Sequence, residues 1–282
     1  MRTRSFTNEK GILYLVATPI GNLSDFSFRA IEILKSVDKI YAEDTRNSIV
    51  LLKHYNISTP LESYHEYNQD IKTDSVVEEI EKGLNIAIIS DAGLPIISDP
   101  GYKIVEKASK LGLRISTIPG ASAGISALIA SGLAPMPYTF YGFLDSKKTK
   151  RIKELNDLKY INHTIIFYEA PHRIMETLSD MLEVFGNRNV VIARELTKTF
   201  EEYIRGTIKE LLELDSIKGE IVLIVEGYKD ESRLDDNPYQ KIEELISLGY
   251  KPNEAIKEIS KLYNLDRKEL YKGYLDYKNQ GE

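Results

Sequence analysis

Short apolar runs alternate along this chain with stretches whose apolar positions recur every three or four residues, the pattern of strands separated by amphipathic helices. Ile12–Ala17 predicts a buried strand, and Ile31, Leu34 and Val37 fall on one face of the helix that follows. Ser24 or Asp25 is the expected N-cap of that helix. Further strands are expected at Lys39–Ala42, Leu61–His65, Asn85–Ser90 and Arg114–Ile118. A helix over Asp74–Lys82 and another opening at Asp99-Pro100, with proline near its first position, complete this half. Strands that alternate with helices imply parallel β-α-β units.

Pro119-Gly120 punctuates the chain and marks the expected junction between two α/β domains, residues 1–119 and 120–229. The second opens with a small-residue helix, Ala121–Ser131, and continues with strands at Tyr138–Leu144, Thr164–Tyr168, Val190–Ala193 and Glu220–Glu226. Helices at Lys147–Leu158 and Arg173–Phe185 lie between them, and Lys198–Ile208 reads as an antiparallel edge or a loop. The expected sheet is mixed. Lys229–Pro238 is acidic and polar, a linker. Beyond it Gln240–Leu248, Asn253–Tyr263 and Arg267–Tyr277 predict a small helical unit, residues 238–282, of helix-turn-helix type. Tyr271, Tyr274 and Tyr277 recur at helical spacing, which suits packing better than base stacking.

Composition narrows the chemistry. The chain of 282 residues is 42% hydrophobic and 28% charged, a globular composition. It has no cysteine, so thiolate metal sites and thiol nucleophiles are excluded. His54, His65, His163 and His172 lack metal-ligand spacing, and no metal is expected. No apolar run is long enough to span a bilayer, and Met1–Lys10 is polar, so a cytoplasmic protein is expected. The net charge of −6 means that any nucleic-acid contact rests on a local basic patch. Lys147, Lys148, Lys150, Arg151 and Lys153 form one such patch, which a solvated helix face would also explain.

Three loops rich in glycine, proline and small residues follow strands: Thr18–Asp25, Asp91–Pro100 and Pro119–Ala123. Open α/β sheets bind ligands outside the carboxyl ends of their strands, and such loops let backbone approach a ligand closely. None carries the dinucleotide or P-loop glycine pattern, which disfavours nucleoside triphosphates and Rossmann-bound dinucleotides. The residues themselves leave Asp91 open as a turn or helix cap and Ser122 as an N-cap.

The stretch Leu13-Tyr14-Leu15-Val16-Ala17-Thr18-Pro19-Ile20-Gly21-Asn22-Leu23-Ser24-Asp25 resembles the opening of the ribosomal RNA small subunit methyltransferase I family, within the tetrapyrrole methylase superfamily. Ala42-Glu43-Asp44-Thr45-Arg46, the run from Ser90 to Gly101, and Ile118-Pro119-Gly120-Ala121-Ser122-Ala123 continue the likeness. So do Phe167-Tyr168-Glu169-Ala170-Pro171-His172-Arg173, Ala193-Arg194-Glu195-Leu196-Thr197-Lys198 and Lys218-Gly219-Glu220. The resemblance implies two α/β domains with S-adenosylmethionine in the cleft between them, and a homodimer. It implies donor contacts at Pro19, Asp91, Gly93, Leu94, Ser122, Ala123, Tyr168, Leu196, Gly219 and Glu220. The implied reaction is 2′-O-methylation of a cytidine in small-subunit (16S) ribosomal RNA, free or in the assembled subunit.

Around the acceptor the charged candidates are Glu195, Lys198, Glu43 and Asp44, with His65 beside them; salt bridges to Arg46 or Arg194 are the alternative for the carboxylates. Arg46, Arg173, Arg194 and Lys198, with Lys147, Lys148 and Arg151 of the basic patch, are the expected RNA contacts. Two other readings stay open: methylation of a tetrapyrrole precursor, and a non-enzymatic RNA-binding assembly protein.

Overall fold

The computed structural model describes residue 4 and residues 11–229, 237–263 and 265–279. Two five-stranded sheets organise the first compact unit, which runs to Tyr228. In the first sheet β1 (Ile12–Val16), β2 (Lys39–Ala42), β3 (Leu61–Ser63), β4 (Ile86–Ile89) and β5 (Arg114–Ile118) lie in the order β3-β2-β4-β1-β5. All of its pairings are parallel, so every strand ends on the same edge of the sheet. Apolar cores cover both of its faces, as parallel sheets require. The helices α1 (Phe28–Ser36), α2 (Thr45–His54), α3 (Gln69–Glu81) and α4 (Tyr102–Lys110) connect the strands.

The second sheet is mixed. Its strands are β6 (Tyr138–Phe143), β7 (Thr164–Glu169), β8 (Asn189–Arg194), β9 (Glu202–Thr207) and β10 (Ile221–Val225), ordered β6-β7-β10-β8-β9. Only β6 and β7 run parallel; the other pairs are antiparallel. One face packs on α6 (Lys148–Leu158) and α7 (Ile174–Phe185), the other on α5 (Ala123–Ser131). The α5 side holds the two sheets' loops together, because Ile20 from the loop after β1 joins Ala127, Leu128, Ile166, Val191 and Leu196 in one buried cluster. Burial of each isoleucine, leucine or valine side chain among these is worth about 1.5–3 kcal/mol.

A second compact unit starts at Lys229 and contains α9 (Pro238–Ser247), α10 (Pro252–Tyr263) and α11 (Arg267–Asn279), after the short α8 (Ile208–Leu211) of the first unit. Ile242, Ala255, Ile256, Ile259, Leu270 and Tyr274 form its core. Tyr274 is buried and its hydroxyl donates to Glu243 at 2.6 Å, Tyr277 stacks on Tyr239, and Tyr271 stays exposed. Most of the polar N-terminal stretch and most of the acidic linker fall outside the described residues.

Local structure departs from the sequence reading at several points. Ser24 and Asp25 lie in a separate 3₁₀ turn, and Ser27 caps α1 by accepting from the Ala30 N–H at 3.1 Å. Asp99-Pro100 does not open a helix: Ile96 (φ 79°) and Gly101 (φ 137°) turn the chain first, and α4 begins at Tyr102. Helix α2 was not anticipated, because its apolar residues Ile49 to Leu52 clump together instead of recurring at helical intervals.

Candidate functional site

The loops after β1, β4 and β5 meet where the two sheets approach each other. Thr18 and Gly93 exchange backbone hydrogen bonds of 2.9 and 3.1 Å, and the Thr18 hydroxyl donates to the Ser90 carbonyl at 3.1 Å. Gly93 is required there: its φ is +79°, and a Cβ would sit 3.2 Å from Ile20 Cγ2 and 3.3 Å from the Ala121 carbonyl. These loops wall a cavity of about 440 Å³, within the range of small-molecule sites. Gly93, Leu94, Ser122, Ala123, Tyr168, Leu196 and Glu220 line it, so residues singled out in both halves of the sequence come together. Pro19, Asp91 and Gly219 do not line it. Pro19 is buried within the first loop; Asp91 is exposed, on the side of a second cavity, and accepts from Asn47 Nδ2 at 2.8 Å; Gly219 lies against the Glu195 side chain. Ile20, Ile97, Ser98, Asp99 and Phe143 also line the cavity and were not anticipated as contacts. Asp99 was legible only as a helix start and Phe143 only as a strand residue.

Tyr168 anchors the second-sheet wall. Its ring packs edge-on against Phe140 and Phe143, at 5.1 and 5.5 Å between centroids, and its hydroxyl accepts from the Gly124 N–H at 3.3 Å. Burial pushes the phenol pKa up, so it remains a neutral partner. Ser122 and Ala123 lead into α5, whose N-terminal end therefore borders the cavity; the Ser122 side chain caps none of its N–H groups. Such a helix end favours an anionic ligand group.

A second cavity, of about 480 Å³, lies at the ends of β2, β3 and β4. Glu43, Asp44, Thr45, Arg46, Ser63, His65 and Asp91 line it. Glu43, on the second cavity, and Asp99, on the first, are near enough for their carboxyl groups to act on each other's charge. Burial, then the charges of Glu43 and Asp91, push the Asp99 pKa up to about 6. Burial and the Asp91 charge also raise Glu43. His65 has Nε2 at 3.2 Å from Asn68 Nδ2, and its Nδ1 is buried without a partner.

Other candidates are engaged elsewhere. Asp44 caps α2 and binds the Arg46 guanidinium at 2.6 Å; those bonds push its pKa down to about 2, which makes it a poor base. Glu195 Oε1 accepts from the Glu220 N–H at 2.9 Å and from Lys198 Nζ at 3.0 Å. These bonds lower the Glu195 pKa, and although burial opposes the Lys198 ammonium, Glu195 and Glu220 raise it. Leu196, on the cavity wall, lies between two left-handed residues, Glu195 (φ 51°) and Thr197 (φ 66°). Each such residue costs on the order of 1–3 kcal/mol.

Among the proposed RNA contacts, Arg151 is a correction. It is 1% exposed, and its Nε donates to Asp180 at 2.7 Å, so it is a core residue closed to a polyanion. Lys148 shares the same carboxylate at 3.2 Å but remains on the surface, as does Lys147. Arg173 is held by Glu169 at 2.6 Å and Arg194 by Glu202 at 2.7 Å. Arg46 is paired with Asp44, yet its side chain is 88% exposed at the rim of the second cavity. No cluster of three or more metal-ligating side chains and no helix long and apolar enough to cross a membrane occurs among the described residues.

Residues 12–212 match the model of the tetrapyrrole (corrin/porphyrin) methylases. The chain belongs to that family. Ribosomal RNA small subunit methyltransferase I of Bacillus subtilis is 48% identical over 95% of this chain and 95% of its own length. The Haemophilus influenzae protein of the same name is 44% identical over 94% and 96%. Among solved structures, uroporphyrin-III-C-methyltransferase from Thermus thermophilus shares the fold with a TM-score of 0.54 at 16% identity, covering 77% of this chain and 94% of that one. Diphthine synthase shares it at 0.60 and 13%, covering 77% and 89%. In this tetrapyrrole methylase the parallel sheet followed by the mixed sheet is thus the family fold.

Replacing Arg151 by Met is expected to strip Asp180 of its buried partner and cost about 3–5 kcal/mol of stability. Urea unfolding checks this. Lost RNA affinity at unchanged stability would return Arg151 to the RNA surface.

Proposed function

We propose that this tetrapyrrole methylase is an S-adenosylmethionine-dependent methyltransferase acting in the cytoplasm on the 2′-oxygen of a cytidine in small-subunit ribosomal RNA. The observation that carries the reading is the 440 Å³ cavity, lined from both sheets by the residues that the sequence motifs single out. Relatives that are 44–48% identical over nearly their whole length, and are named for ribosomal RNA methylation, support the substrate class.

The cavity's chemistry fits the donor. Leu94, Leu196 and Tyr168 offer apolar surface, Asp99 and Glu220 carry the carboxyl groups that suit cationic centres, and the start of α5 suits a carboxylate. S-adenosylmethionine supplies an electrophilic methyl group on a positively charged sulfur, so alignment is the protein's main task. The acceptor hydroxyl must also lose a proton. Asp99 suits that role: it lines the cavity, lies within charge reach of Glu43, and has its pKa pushed up to about 6 by burial and neighbouring carboxylates. Glu43 faces the second cavity, which suits the incoming nucleotide, with Arg46 at its rim for phosphate.

The same reading includes a homodimer. Ile125 and Ile129, one turn apart on α5, are 41% and 74% exposed, and Met136 and Tyr138 just beyond it are exposed as well. Exposed apolar surface of this kind commonly marks a protein interface.

The deciding experiment supplies labelled donor and unmodified small subunits to the protein and maps the modified nucleotide. Methyl on a cytidine 2′-oxygen is expected; transfer only to a tetrapyrrole precursor, or none with tight RNA binding, contradicts the proposal.

Asp99 accepts a proton only when ionised, so turnover should rise as pH passes through about 6 and level off above it. Asp99→Asn should lower turnover by roughly a hundredfold or more. Its stability should change in the opposite sense. A raised carboxyl pKa costs the fold nothing below 3.8, increasingly between there and about 6, and fully above. The asparagine variant should therefore melt higher than wild type at pH 7 and equally at pH 3.5 or below. Full activity in Asp99→Asn eliminates the assignment.

Ile129→Asp should shift the protein from dimer to monomer in sedimentation velocity; an unchanged mass places the interface elsewhere.

A further inference from the structure

We infer that Glu195 is a positioning residue that presets the Leu196 wall of the donor cavity, not the base that activates the acceptor. The inference rests on the reading of that cavity as the methyl-donor site.

Leu196 is buried, lines the cavity and packs in the cluster that contains Ile20 of the first loop. Its neighbours Glu195 and Thr197 both adopt left-handed backbone, which non-glycine residues seldom do and β-branched ones least of all. Two such residues in three persist only when their surroundings over-determine them. Here the surroundings do. The Glu195 N–H donates to the Glu220 carbonyl at 3.0 Å, while the Glu195 carboxylate accepts from the Glu220 N–H at 2.9 Å. The segment is thus tied twice to the entry of β10. The Lys198 N–H donates back to the Glu195 carbonyl at 3.0 Å, and the Thr197 N–H donates to Glu201 Oε2 at 2.6 Å.

Gly219 and Gly21 complete the fixture from either side. A Cβ at Gly219 would stand 2.5 Å from Glu195 Cγ, so the carboxylate stem occupies the space that the glycine leaves. A Cβ at Gly21 would stand 2.8 Å from Lys198 Cγ, so the Lys198 stem lies against the loop after β1. Glu195 therefore couples three elements around Leu196: its own turn, the entry of β10, and, through Lys198, the first loop. A carboxylate oxygen that already accepts from an amide and an ammonium has little affinity for a third proton donor.

The test separates shape from proton transfer. Glu195→Gln keeps an amide oxygen able to accept from the Glu220 N–H, and turnover at saturating donor should stay within about threefold of wild type. Glu195→Ala loses that anchor, and S-adenosylmethionine affinity measured by calorimetry should fall by about tenfold or more, with turnover at saturating donor much less affected. Should Glu195→Ala not fold, the glutamine variant decides alone. A hundredfold loss of turnover in Glu195→Gln at unchanged donor affinity makes Glu195 the base and overturns the inference. So does a folded Glu195→Ala that binds donor like wild type. Wild-type protein giving no heat with S-adenosylmethionine sinks the donor-site reading itself, a result distinct from either of these.

Discussion

Helix α5 is where the first sheet is made to serve the second. The chain leaves β5 at Ile118, passes Pro119-Gly120 and enters a helix whose Ala127 and Leu128 are buried against Ile166, Val191, Val222 and Ile224 of the mixed sheet. This apolar contact delivers Ser122 and Ala123 to the cavity and fixes the angle at which the other strand-end loops arrive. Ile20 reaches into the same cluster, and the Thr18–Gly93 backbone pair ties the loop after β4 to the loop after β1. Hydrophobic burial between sheets thus sets the position of polar groups that pack against very little themselves.

The charge arrangement follows from that geometry. Parallel strands β2 and β4 end side by side, so the acidic residues just beyond them, Glu43 and Asp91, are brought near Asp99 from the adjoining turn. In partial burial these groups cannot all ionise freely, and Asp99 is the one whose proton is held to about 6. Asp44, one residue from Glu43, has the opposite fate because it caps α2 and grips Arg46. Neighbours in sequence therefore differ in acidity through their hydrogen bonds.

Much of the architecture was legible in the chain. The short apolar run within Asn85–Ser90, bounded by polar residues, suits a strand buried on both faces, and the strand-end loops were recognisable by their small residues. Gly93, Leu94, Ser122, Ala123, Tyr168, Leu196 and Glu220 line one cavity, while Pro19, Asp91 and Gly219 do not. What could not be read was partnership across long separations. Arg151 sits in a run of basic residues, and only the fold shows that Asp180, a helix away, draws it into the core. Glu195 carried the look of a strand-end catalyst, while its amide partner at Glu220 lies 25 residues on. Asp99 was hidden because Ser-Asp-Pro reads as a helix start, and the left-handed Ile96 that turns it toward Glu43 leaves no composition signal.

The proposed methyl-donor site is the cavity between the strand-end loops, with the start of α5, and the wall of the second sheet. Ala123, at the start of α5, is partly exposed and lines that cavity. Calorimetric titration of S-adenosylmethionine into Ala123→Trp protein tests this most directly, with its melting temperature measured alongside. No detectable binding is expected from a variant that melts like wild type, and donor binding as tight as that of wild type would contradict the donor site.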